Sequence, residues 1–170
     1  MTYFSDTDRV NVAYYLAARA HEEQTDKSGK DYIDHPLRVE SKFKSADYKI
    51  VALLHDTIED TFVTKELIES MFGHQIALAV DLLTRKADES YMQFINRMCV
   101  TDFSMHTPEV CQLMEKSYQI ARLVKIADLE DNMNLGRLHE ITDEDLNRVK
   151  KYEKARQKLL KIEKEHIGCF

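Results

Sequence analysis

A chain of 170 residues, 44% hydrophobic and 32% charged, has the length for one domain with a sizeable core. The net charge of −6 leaves no general basic face for duplex nucleic acid, although a small polyanionic substrate stays open if a metal and a few cations receive it. Four Gly and two Pro leave little material for long loops, and neither GxGxxG nor GxxxxGK occurs.

In chain order, Met1 to Arg9 carries no apolar run of signal-peptide type, and no later run approaches membrane-spanning length. Ser5 or Asp6 can cap a first helix with Val10, Ala13, Tyr14 and Ala17 on one face, ending near His21. A polar loop, Glu22 to Tyr32, leads to Ile33-Asp34-His35-Pro36, with Pro36 suited to the first position of a helix running to about Phe43. Ser45 can cap a third helix that turns Ile50, Val51, Leu53 and Leu54 inward and delivers His55 and Asp56 at its end. Thr64 caps the next, which stops at Gly73; another covers about Gln75 to Leu83. Ser90 opens a helix carrying Tyr91, Phe94, Ile95 and Met98, and Thr107-Pro108 opens one whose pattern continues through Ile120, Leu123, Val124 and Ala127 to Met133. Thr142 with Asp145 resembles a capping box for a last helix to about His166, before Gly168. No segment alternates like a strand. The expectation is an all-α bundle, a single domain over residues 1–170.

Lys150 to Lys164 is dense in Lys, Arg and Glu, which reads as a solvated face with i,i+4 pairs rather than a polyphosphate or partner surface. Cys99, Cys111 and Cys169 are odd in number, far apart and without a CxxC. They read as free thiols in a reducing compartment, so the expected location is the cytoplasm, without membrane attachment.

The chemistry concentrates in Leu53-Leu54-His55-Asp56-Thr57-Ile58-Glu59-Asp60-Thr61, where an apolar run ends in four ionisable side chains within six residues. Buried, such groups need partners or a metal. His55 and Asp56 point about 100° apart on a regular helix, but at a helix end both can reach one ion. His35, before a helix start, and Asp128, in the apolar stretch Leu123 to Asp128, are the remaining donors. His35, His55, Asp56 and Asp128 form an N2O2 set that suits Mn²⁺ while leaving other divalent metals open. Alone, each has a plainer reading: His35 as a loop or cap residue, Asp128 as an ion pair with Lys125 or Arg122. Glu59 and Asp60 follow His55 and Asp56 by four residues, one turn on, where a carboxylate can orient or deprotonate an attacking water.

These pieces resemble the HD-domain phosphohydrolases, and more closely the hydrolase domain of the RelA/SpoT family and its stand-alone small alarmone hydrolases. Ala20-His21-Glu22-Glu23-Gln24 with Lys27-Ser28-Gly29 is similar to the family's AHxxQxRKSG. Tyr32 to Val39 is similar to YIxHPLxVA, and Ala52 to Thr61 to ALLHDxxEDT. Phe72-Gly73 matches the FG before the next helix, and Leu123 to Asp128 with Asn132-Met133 is similar to LVKxADRxxNM. The resemblance covers roughly the first 135 residues. It implies an HD-domain helical bundle and Mn²⁺-dependent removal of the 3′-pyrophosphate of guanosine tetra- or pentaphosphate. It implies His35, His55, Asp56 and Asp128 as metal ligands and Glu59 and Asp60 as the pair acting on the water. Lys27, Ser28 and Asn132 would contact the nucleotide, and Arg148 and Tyr152, at i and i+4 of the last helix, are placed to line its pocket. No synthetase domain is expected after Phe170.

Two departures touch base and sugar recognition. Asp26 stands where the family has an Arg before the Lys, and Met133-Asn134-Leu135 stands where many members have Met-Arg-Thr. Two other readings compete: an HD phosphohydrolase releasing orthophosphate from a different nucleotide, and a non-catalytic nucleotide-binding module. Retention of both Glu59 and Asp60 argues against the module, because binding alone does not need them.

Overall fold

The computed structural model describes residues 5–138 and 140–167. Among them are nine α-helices and no strand: α1 (Asp6–Ala20), α2 (Asp34–Glu40), α3 (Ala46–Leu54), α4 (Thr57–Asp60), α5 (Lys65–Phe72), α6 (His74–Leu83), α7 (Tyr91–Arg97), α8 (Pro108–Asn132) and α9 (Asp143–Ile167). A 3-10 turn, Leu135–Arg137, follows α8, and an isolated bridge pairs Thr25 with Asp31. None of these helices is long and apolar enough to cross a membrane.

The capping residues explain most boundaries. Ser5 and Ser90 form capping boxes with Asp8 and Gln93, and Thr64 accepts from Leu67 N. Thr142 and Asp145 satisfy each other reciprocally at the start of α9. Gly73, at φ +89°, closes α5 and opens α6, a backbone geometry that side chains beyond glycine disfavour.

Several boundaries differ from expectation, and α2 stops at Glu40 rather than near Phe43. Pro36 is the third residue of α2 rather than the first, because any position in a first turn lacks an intrahelical N–H partner and so tolerates Pro. His35 is therefore helical and fixed, not a loop residue. The sixth helix starts at His74, one residue early. The third helix ends at Leu54, with His55 as its C-cap, and Asp56 is the N-cap of a separate turn, α4, that carries Glu59 and Asp60. Gly168 and Cys169 lie outside the described residues; Cys99 and Cys111 are free thiols.

The core gathers on α3 and α8. Ile50 to Leu54 are buried without a polar face, so α3 is an interior helix. It packs against α1, α2, α6 and α8, while α8 also meets α2, α6 and α9. Burying five consecutive residues at the end of α3 carries His55 and Asp56 into the protein interior. The long α8 passes the same point and supplies Asp128.

Across the α8–α9 contact, Arg122 and Glu163 are both buried and hydrogen-bonded, and Arg122 also donates to the Met98 carbonyl at 3.2 Å. Arg122 thus pairs with Glu163 and not with Asp128. Arg122→Ala should cost about 3–5 kcal/mol, because it strands a buried carboxylate. Urea unfolding checks this, and Arg122→Met with Glu163→Leu should recover most of the loss. A single variant of wild-type stability would mean that Glu163 turns to solvent at no cost.

Candidate metal centre

Three buried residues, His35 on α2, His55 at the end of α3 and Asp128 on α8, bring ligand atoms within 4.8 Å of one another. His35 Nε2 lies 3.1 Å and His55 Nε2 lies 3.7 Å from Asp128 Oδ1. Asp56 Oδ2 completes the cluster, 3.0 Å from His55 Nε2 and 3.9 Å from His35 Nε2. All four residues singled out by sequence therefore converge at one point.

The orientation of both imidazoles is fixed from behind. His35 Nδ1 donates to Asp131 Oδ2 at 2.7 Å, and His55 Nδ1 donates to the Ala52 carbonyl at 2.8 Å. Each ring consequently turns Nε2 toward the centre. His55 Nε2 is buried without a hydrogen-bond partner, despite the two carboxylate oxygens nearby. An orphaned nitrogen facing two carboxylates and a second imidazole suits a divalent cation. Mixed N/O donors of this kind fit Mn, Fe, Co, Ni or Zn better than Ca.

The charges agree with that reading. Burial disfavours an imidazolium at His55, but Asp56 and Asp128 outweigh it and push the pKa up to about 10. Burial likewise opposes the Asp128 carboxylate, while Lys125, His35 and His55 hold its carboxyl well below the usual range. The protein thus concentrates negative charge where a cation would replace the protons.

The plainer reading of Asp128 is partly met, since Lys125 Nζ sits 2.8 Å from its Oδ2. That leaves Oδ1 for the centre, where Asn132 Nδ2 also donates at 2.5 Å. Tyr32 donates from its hydroxyl to Asp56 Oδ2 at 2.5 Å, fixing the fourth donor. Glu59 and Asp60 ride on α4 just beyond. Partial burial, then Asp56 and Glu59, raise the Asp60 carboxyl above its ordinary value.

Two clefts meet at the cluster. One, about 280 Å³, is lined by Lys27, Ser28, Tyr32, His35, Asn132, Arg148 and Tyr152, so every residue expected at the nucleotide lies on it. Arg148 and Lys27 are both drawn to Asp145 Oδ1, at 2.9 and 3.4 Å. The other, about 340 Å³, holds Asp56, Glu59, Asp60 and Asp128 on its wall. Tyr32, Asn132 and Tyr152 border both.

Sequence reasoning missed the supporting network. Asp131 binds His35 and is itself clamped by Arg38 at 2.9 and 3.1 Å, with the Arg137 guanidinium 3.4 Å away. The available signal was its offset from Asp128: three residues along a helix returns to the same face. His21 and Gln24 were also passed over. His21 is buried, packs at a tilt against the Tyr32 ring with centroids 4.6 Å apart, and contacts Gln24, whose amide donates to the Asp60 carbonyl. Asp26 turns out to be a loop staple. Its Oδ1 accepts from Ser28 N, Ser28 Oγ and Lys30 N, at 2.8, 2.6 and 3.1 Å, and its Oδ2 faces Arg137 at 3.5 Å.

Known proteins share this arrangement in part. An HD domain family model matches residues 13–98, which include His35, His55, Asp56, Glu59 and Asp60. The chain is 41% identical over 85 residues to a GTP pyrophosphokinase of Myxococcus xanthus, covering 47% of this chain and 11% of that protein. It is 40% identical over 87 residues to the guanosine-3′,5′-bis(diphosphate) 3′-pyrophosphohydrolase of Aquifex aeolicus, covering 49% and 12%. It is 43% identical over 77 residues to the bifunctional (p)ppGpp synthase/hydrolase SpoT of Escherichia coli, covering 43% and 11%. The matched region is thus about an eighth or less of each curated relative. A solved structure of a metazoan SpoT ortholog, described as hydrolysing ppGpp, superposes with a TM-score of 0.62 at 22% identity over 98% of both chains, a likeness of fold. With half of its length matched by the family model and an all-α fold that carries the His55-Asp56 pair at the junction of α3 and α4, the chain belongs to the HD-domain family.

Proposed function

We propose that this protein is a single-domain, metal-dependent nucleotide pyrophosphohydrolase that removes the 3′-pyrophosphate of a (p)ppGpp-type alarmone, with Mn²⁺ as its metal. The observation that carries the reading is the cluster of buried His35, His55 and Asp128 with part-buried Asp56 beside them, at the junction of two clefts, with His55 Nε2 left unpartnered. The matched relatives named as (p)ppGpp hydrolases support the substrate class.

A divalent ion held by these four residues would polarise the phosphoryl group and acidify the attacking water. The rest falls to the chain's own groups. Lys27, Ser28, Arg148 and Tyr152 line the cleft that would take the nucleoside, and Tyr152 offers a ring face for stacking. Asp60, whose carboxyl is raised, and Glu59 accept the proton and set the direction of attack. Tyr32 keeps Asp56 in place, and Asp131 keeps His35 in place. The substrate is a small nucleotide, with no role for nucleic acid or membrane. The chain would act in the cytoplasm.

The test is a screen of Mn²⁺-loaded protein against nucleotides, with pyrophosphate and orthophosphate measured separately. Pyrophosphate release from a guanosine 3′-diphosphate supports the reading. Orthophosphate release alone would favour another HD phosphohydrolase activity, and binding without turnover a nucleotide-binding module.

Base preference provides a further prediction. Asp26→Arg removes three hydrogen bonds that shape Lys27 to Lys30 and sets a cation beside Arg137. The kcat/KM ratio of guanine to adenine alarmones should therefore change in Asp26→Arg, while Asp26→Asn, which retains an acceptor oxygen, should stay close to wild type. Equal ratios in all three proteins would remove Asp26 from base selection.

A further inference from the structure

The cleft beyond the metal cluster contains positive charge that the arrangement so far leaves unused. Arg85, in the loop after α6, makes no side-chain ion pair among the described residues; its backbone N–H is tied to Glu59 Oε2 at 2.8 Å. Lys151, on α9, makes none either. Its ammonium rests 4.6 Å from the Tyr91 ring and 5.3 Å from the Tyr152 ring, so two aromatic faces hold it at the cleft without neutralising it. Tyr91 adds a buried hydroxyl with no hydrogen-bond partner.

Apart from Asp60, the other charges in the cleft are already committed. Asp56 faces His55, Asp128 faces both histidines and Lys125, and Glu59 accepts from the Arg85 amide. What remains beside Asp60 is two cations and an orphaned O–H, lining the cleft that also holds Asp56 and Asp128. A buried hydroxyl without a partner is costly, and Lys151 is held over two aromatic rings at the cleft, within reach of a bound group. Both features are explained by an anion.

We infer that Arg85, Lys151 and Tyr91 form a subsite for the distal phosphoryl of a diphosphate whose proximal phosphoryl lies at the metal ligands. The inference rests on the hydrolase reading and deepens it, since such a subsite selects pyrophosphate over orthophosphate as leaving unit. In the step it serves, the water oxygen bonds to the proximal phosphorus and gives up its proton. The bond from that phosphorus to the ribose oxygen breaks, its electron pair stays on the ribose oxygen, and that oxygen takes a proton. The two phosphoryl groups depart together as pyrophosphate. The Arg85 guanidinium suits two non-bridging oxygens at once, and the Tyr91 hydroxyl donates to a third.

The test is calorimetric titration of the Mn²⁺-loaded full chain with inorganic pyrophosphate and, separately, with orthophosphate. Wild type, Arg85→Gln, Lys151→Gln and Tyr91→Phe are compared at one metal load, because pyrophosphate also binds free metal. Arg85 and Lys151 are exposed, so their substitution leaves the core untouched. Wild type should bind pyrophosphate roughly tenfold or more tightly than orthophosphate, and each charge removal should weaken pyrophosphate about tenfold with orthophosphate nearly unchanged. Tyr91→Phe should cost a smaller factor, about two- to tenfold. Pyrophosphate affinities that match wild type in all three variants would overturn the subsite, as would equal affinities of wild type for the two anions.

The binding assay needs no turnover. Protein that passes it yet hydrolyses no nucleotide would refute the hydrolase reading and leave the subsite standing. Steady-state kinetics separate the two possible diphosphate sources. For nucleotides with a diphosphate at the scissile position, Arg85→Gln and Lys151→Gln should raise KM. For those with a monophosphate there and a diphosphate elsewhere, KM should hold, and a rise would place the other arm in this lobe and overturn the assignment.

Discussion

His55→Ala and Asp128→Asn proteins are expected to lose stoichiometric divalent metal and, with it, hydrolysis. Each residue contributes a donor atom to a cluster whose His–Asp members lie 3.0–3.9 Å apart, close enough to share one ion. Residues that only orient a ligand usually change metal affinity about 10–100-fold, so removal of a direct donor should exceed that range. Asp131→Ala, which frees His35 Nδ1 without removing a donor, should fall within it. The ranking of three variants is therefore the prediction: Asp131→Ala retains metal at high concentration where the other two do not. Chelation should lower the melting temperature of wild type, since an ion present at 100 times its dissociation constant adds about 2.7 kcal/mol of stability. The same chelator should barely move the His55→Ala protein. Metal analysis and thermal scans read both effects, with circular dichroism to establish folding. If folded His55→Ala retains full metal content and affinity, His55 is no ligand and the centre must be rebuilt from other donors.

The contrast between what sequence revealed and what it hid follows from how each residue acts. Helix starts were legible because Ser90, Thr64 and Thr142 announce themselves by local chemistry, an acceptor followed three residues on by its donor. The metal donors were legible because His55 and Asp56 interrupt an apolar run whose burial follows from its composition. Pro36 misled, because a proline marks a first turn without saying which of its positions it occupies. Asp131 stayed hidden because its partner His35 is 96 residues away and comes near only after α2 packs on α8. Lys151 was overlooked for a different reason. Residues Lys150 to Lys164 look like a uniform solvated face, and Lys161 with Glu165 behaves as one. Only the packing of α9 against α8 and its contact with α7 decides which lysine of that stretch reaches the cleft.

Glu59→Gln and Asp60→Asn should each reduce kcat by roughly 10²–10⁴-fold while metal content stays near wild type, the range that general-base assistance supplies. Both carboxylates sit on α4, the single turn that follows the break at His55-Asp56, and line the same cleft as Asp56 and Asp128. Neither lies among the clustered donor atoms. The two need not contribute equally. Glu59 spends one oxygen on the Arg85 amide at 2.8 Å, which positions it and occupies that oxygen. Asp60 has no such tie on its carboxylate, and its carboxyl is raised by partial burial and by Asp56 and Glu59, toward the basicity a proton acceptor needs. Asp60→Asn should therefore be the more damaging, with its loss in kcat rather than KM, whereas Glu59→Gln should also disturb Arg85 and raise KM for diphosphate substrates. Gln24→Ala, which removes the amide held on the Asp60 carbonyl, should reproduce a fraction of the Asp60 effect through misplacement alone. Wild-type turnover in both carboxamide variants would assign proton transfer to another group.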